Sequence, residues 1–73
     1  MQYHEDLSKF IRNLREAKKM SLNSFAYKNG IEPSTLSRIE KGQLELKYSN
    51  LEKIAKGFDL KPSEFLQLFE EKD

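Results

Sequence analysis

The stretch from Ser21 to Gly42, SLNSFAYKNGIEPSTLSRIEKG, constrains this chain more than any other. Gly30 and Gly42 mark two points where a backbone can turn left-handed and end a helix. Pro33 suits the first turn of a helix, where a missing amide costs nothing. Ser21 offers a side-chain oxygen to the orphan amides of a helix that follows it. This punctuation predicts two helices of about eight residues each, joined by a tight turn around Gly30-Ile31-Glu32. Phe25 and Ala26 fall on the inner face of the first helix, Leu36 and Ile39 on that of the second. So short a turn crosses two helices steeply and brings their backbones close. Ala26 is small enough to allow it.

The rest of the chain repeats the helical spacing. Leu7, Phe10, Ile11, Leu14 and Ala17 share one face of a helix running from about Glu5 to Lys18. Beyond Gly42, a short loop holds Leu44 and Leu46. A helix from about Ser49 to Gly57 buries Leu51, Ile54 and Ala55, with Phe58 just past its end. Pro62 opens a last helix carrying Phe65, Leu66, Leu68 and Phe69. No stretch alternates apolar and polar residues long enough to suggest a sheet. The expected fold is all-α, a compact five-helix bundle forming a single domain over residues 1–73. A domain this small buries only about 60% of the surface its unfolded chain exposes. A partner subunit would help it.

Composition narrows the function. The net charge is only +1, but its distribution is uneven. Residues 1–30 carry six Lys/Arg against three Asp/Glu, and residues 48–73 carry four against six. A polyanion would approach the front of the chain. There is no cysteine, which excludes disulfides and thiolate metal sites and fits a cytoplasmic location. No apolar run approaches the roughly 20 residues of a membrane span. His4, the single histidine, has no paired nucleophile in view and reads as a solvated surface residue. Glu16, Glu40, Glu52 and Glu64 stand on different helices. With no metal-ligand spacing and no glycine-rich phosphate loop, an enzyme is not expected, nor a cofactor or metal.

The two short helices have the spacing of a DNA-binding helix-turn-helix. Around them the residues fall into a wider pattern. Ile11 with Leu14-Arg15, Phe25-Ala26, Gly30-Ile31 and the run Ser34 to Gly42 come in order. Leu51, Ile54, Ala55, Lys56 and Phe58 follow, then Ser63 to Leu66. Over about residues 7–66 the chain resembles the phage-repressor/Cro-type, or XRE-like, helix-turn-helix family. In size and layout it is similar to restriction–modification controller proteins, small phage repressors and DNA-binding antitoxins.

The resemblance implies a sequence-specific double-stranded DNA-binding transcriptional regulator. Its recognition helix would run from about Pro33 to Lys41, with Pro33, Ser34, Ser37 and Arg38 facing the bases. Arg38 is the strongest reader, because a guanidinium can donate two hydrogen bonds to guanine. Ser34 and Ser37 discriminate weakly, and Pro33 can only touch an apolar edge such as a thymine methyl. Arg15 and Glu40 match residues that pair in the family and fix the recognition helix, and Arg15 could also reach phosphate. Backbone amides at Leu22 and Asn23 and the side chains of Ser21, Asn23, Lys41, Gln43 and Lys47 complete the expected phosphate contacts. Three residues depart from the family pattern. Leu22 replaces a glutamine, Glu32 stands where a Ser or Thr cap is usual, and Leu46 replaces a loop proline beside Glu45. These departures predict modest affinity and steep salt dependence.

One recognition helix reads few base pairs, so a homodimer on a near-palindromic site is expected. Tyr48, Leu68 and Phe69 are its expected interface, within a C-terminal segment of about residues 60–73. A protein partner, such as a toxin or a polymerase subunit, would be unidentified. The alternative is a protein-interaction module or antitoxin of the same fold with weak or no DNA binding.

Overall fold

The structure is a computed structural model that describes residues 3–71. Five helices follow in order: α1 (Tyr3–Ala17), α2 (Leu22–Lys28), α3 (Pro33–Glu40), α4 (Tyr48–Gly57) and α5 (Pro62–Glu71). No strand occurs among the described residues. The side chain of His4 lies outside what is described.

Helices α2, α3 and α5 start where a local signal places them, whereas α4 follows Lys47 without a side-chain cap bond. Ser21 caps α2, its side-chain oxygen accepting from the Ser24 amide at 3.1 Å. Pro33 is the first residue of α3 and Pro62 the first of α5. In the first turn of α5 the Glu64 carboxylate reaches back to the Lys61 amide, 2.8 Å away, satisfying a donor the helix leaves free. Glu32 precedes α3 without making a side-chain cap bond.

Four of the helices end in the same way. The amides of Met20, Ile31, Gln43 and Leu60 each donate to the carbonyl five residues back, on Arg15, Ala26, Arg38 and Ala55. This closure requires a left-handed residue just before the donor. Gly30 and Gly42 supply it at φ 72°, as the sequence predicts. Lys19 and Asp59 supply it at φ 61°, where no glycine announces the turn.

The core gathers on the inner stripes of all five helices. Ile11, Phe25, Ala26, Leu36, Ile54, Ala55 and Phe65 are fully buried, and Ile31, Ile39 and Leu51 nearly so. Leu44 and Leu46 in the loop pack against this cluster. All five phenylalanines form one string of rings, Phe69–Phe10–Phe65–Phe58–Phe25, with centroids 5.0 to 6.1 Å apart. Phe69 is therefore core, only 5% exposed. The sequence expectation that it forms surplus surface for a dimer is corrected: α5 extends far enough to lay Phe69 on Phe10 of α1. Tyr48 and Leu68 remain exposed, at 64% and 46%.

Gly57 has a role that its position near a helix end disguises. A Cβ there would lie 2.7 Å from Cζ of Phe25 and 2.7 Å from Nδ2 of Asn29. Asn29 is held in place, because its side-chain amide donates to the Phe25 carbonyl at 2.9 Å. Gly57 is thus where α4 touches the end of α2.

Candidate nucleic-acid interface

Helix α3 is held from behind and open in front. Leu36 and Ile39 are in the core and Glu40 is buried at its last turn. On the other side Ser34 and Arg38 are exposed, and Pro33 and Ser37 half-buried. The Arg38 side chain makes no hydrogen bond or ion pair with any described residue. Its guanidinium is free to meet something outside the molecule.

The helix-turn-helix angle is set at two places. The Ile31 amide donates to the Ala26 carbonyl at 2.8 Å, wrapping the turn tightly around the end of α2. Ala26 is fully buried where α2 meets α3. A lysine that the sequence analysis did not single out braces the turn from outside: Lys53 of α4 donates from Nζ to the Gly30 carbonyl at 3.2 Å.

At its other end α3 is anchored to α1. Arg15 donates from Nε to Glu40 Oε2 at 2.7 Å and from Nη2 to Glu40 Oε1 at 3.0 Å, a two-pronged ion pair. A third bond runs from Nη1 to the Met20 carbonyl at 2.8 Å, tying in the α1–α2 turn. The pair is well buried, with 10% of the Arg15 side chain and 4% of the Glu40 side chain exposed. The hydrogen-bonded Glu40 carboxylate raises the Arg15 pKa above its ordinary value, against the opposing effect of desolvation. Arg15 is thus a positioning residue for α3. The phosphate role also expected of it does not fit a guanidinium so enclosed.

The remaining residues expected to meet phosphate lie on the surface around α3. Ser21, Asn23, Lys41, Gln43 and Lys47 are all exposed. Ser21 spends an oxygen lone pair on its cap bond and keeps its hydroxyl proton to donate. Leu22 is half-buried against the core, which accounts for an apolar residue at the entrance of α2. Beside the loop, Glu32, Thr35, Glu45, Lys47 and Lys53 share a hollow of about 350 Å³ of mixed charge. Among the described residues no group of His, Cys, Asp or Glu could hold a metal ion.

A family model described as "Helix-turn-helix domain" matches residues 8–71. The chain belongs to this helix-turn-helix family. Two solved structures are similar to it throughout. The restriction-modification controller protein C.AhdI from Aeromonas hydrophila is 28% identical, with a TM-score of 0.81, covering 89% of this chain and 98% of its own. An HTH_3 family transcriptional regulator from Vibrio cholerae is 27% identical, with a TM-score of 0.79, covering 92% of this chain but 38% of its own. No curated protein sequence matches. Among the described residues the helix-turn-helix chain is all-α. None of its described helices is long and apolar enough to cross a membrane.

Proposed function

We propose that this chain is a sequence-specific, double-stranded DNA-binding transcriptional regulator that inserts α3 into the major groove. One observation carries the proposal. The outward face of α3 presents Ser34 and an unpaired Arg38 to solvent, while the opposite face is locked into the core and onto Arg15. A rigid helix with a free guanidinium on its open side is what direct readout of guanine requires. Likeness to a controller protein and to a transcriptional regulator supports the regulatory role.

The protein acts in the cytoplasm as a homodimer. On a near-palindromic site the α3 helices of the two copies enter successive major grooves about 34 Å apart, one turn of DNA. Leu68 and Tyr48 supply exposed apolar surface for that contact. Arg38, Ser34, Ser37 and Pro33 face the bases. Lys41, Gln43, Lys47, Asn23 and Ser21 face phosphates.

Selection of bound sites from random duplex DNA tests the proposal, followed by titration of wild type and Arg38→Ala on the selected site. The variant is expected to bind about 1–3 kcal/mol more weakly and to lose preference at one base pair. Unchanged affinity and preference would move the reading face elsewhere. A second reading, a protein-interaction module, is favoured by the carboxylates of Glu32 and Glu45 beside α3 and by Tyr27, which is 73% exposed. An adaptor shows no appreciable DNA binding at any salt concentration, whereas a DNA binder weakens along a log–log line.

A further inference from the structure

The buried Arg15–Glu40 pair lies beneath two surface hollows that share Arg12, Glu40 and Lys41. One, of about 210 Å³, also touches Leu22 at the start of α2 and Ser37 on α3. The other, of about 360 Å³, continues along α1 to Ser8 and Lys9. Lys9 and Arg12 are three residues apart, which puts them on one face of α1. Lys9, Arg12 and Lys41 therefore form a basic shelf leading away from the outward side of α3.

Two of the acids near this shelf are matched, while Asp6 stands exposed one turn before Lys9 on α1. Glu40 is taken by Arg15, and Glu16 accepts only from Nε of Arg12, at 3.1 Å. That exposed pair leaves both terminal nitrogens of Arg12 without a partner among the described residues. The side chains of Lys9 and Lys41 are exposed and make no hydrogen bond or ion pair with any described residue. A row of separate cations fits a row of phosphates. A duplex whose groove holds α3 has its backbone beside that groove, where the shelf begins at Ser37 and Lys41.

We propose that α1 is a phosphate-tracking element, with Lys9 and Arg12 gripping the DNA backbone next to the groove that α3 occupies. This rests on α3 being the recognition helix. Neither residue reads sequence. Glu16 competes with phosphate for Arg12 and so restrains the grip.

The test compares the wild type with three variants, Lys9→Gln/Arg12→Gln, Glu16→Gln and Arg38→Ala. Binding to the selected site and to a random duplex is measured from 50 to 200 mM salt. The double variant is expected to weaken on both duplexes, with a log–log salt slope shallower by about 1.8 per protomer. Over that fourfold change in salt, the double variant then loses roughly 12-fold less affinity per protomer than the wild type. Glu16→Gln is expected to act in the opposite direction and tighten binding to both. A purely structural role for the Arg12–Glu16 pair would make both variants worse. The inference is overturned if the double variant keeps the wild-type slope, if its base preference changes, or if Glu16→Gln weakens binding. Arg38→Ala separates the two proposals. If it alters preference while the double variant changes nothing, only the shelf is wrong. If the wild type binds no duplex, the recognition helix is wrong as well.

Discussion

Two glycines in this chain do different work, and their substitutions separate backbone strain from crowding. At Gly30 a Cβ meets nothing within 4 Å, so the whole demand is for a left-handed backbone at φ 72°. Gly30→Ala is expected to lower stability by about 1–2 kcal/mol through that strain alone. At Gly57 the backbone is ordinary helix, and alanine would by propensity add about 1 kcal/mol. The clash with Phe25 and the tethered Asn29 should outweigh this, since overpacking costs about 1–3 kcal/mol. Gly57→Ala is therefore expected to melt below the wild type, and a rise in melting temperature would show that α4 can move away from α2. Lys19 and Asp59 occupy the same left-handed region without glycine. Asp tolerates it through its short polar side chain, but nothing in the structure explains the lysine.

Among the elements, α3 depends on its neighbours more than on itself. It has eight residues and no side-chain cap, too short to be stable alone. Its position comes from the core contacts of Leu36 and Ile39 and from the Arg15–Glu40 clamp. Removing one partner of so buried a pair leaves an uncompensated charge, at a cost of roughly 3–5 kcal/mol. Arg15→Met is expected to unfold at much lower denaturant concentration than the wild type. Arg15→Met with Glu40→Leu should recover most of that loss, because an apolar pair can replace a buried ion pair. Denaturant titrations of the three proteins check this. Equal losses in the single and double variants would mean that the cost lies in lost packing and not in stranded charge. The clamp also bears on function: the recovered double variant should fold yet hold α3 less firmly, since the two-pronged geometry is gone.

For the whole molecule the question is how a bundle with a small core acts on a long polymer. The string of five rings from Phe69 to Phe25 joins α1, α2, α5 and the α4–α5 turn into one body. Phe65, fully buried at its centre, is the side chain whose loss to alanine should cost most, about 3–5 kcal/mol. The exposed apolar surface left for a second copy is smaller than the sequence suggested, because Phe69 is used internally. Leu68→Lys is expected to shift the protein toward monomer in sedimentation while leaving the melting of the monomer unchanged. If the wild type already sediments as a monomer at high micromolar concentration, the proposed dimer is wrong.

The helices were legible from the sequence because their signals are local. Apolar spacing, Ser21, Pro33, Gly30 and Gly42 act within a few residues of themselves, and the helix boundaries fall close to the expected ones. The Arg15–Glu40 pairing followed from family resemblance, since 25 positions separate the two residues. Tertiary packing decided what depends on neighbours distant in sequence. It set Phe69 inside and Leu68 outside, made Gly57 a contact point, sent Lys53 to the turn at Gly30, and collected Lys9, Arg12 and Lys41 onto one shelf. A chain encodes where it can bend within a turn or two. Which side chains meet across space follows only once the helices have packed, because burial and charge are shared properties of surfaces that the sequence keeps far apart.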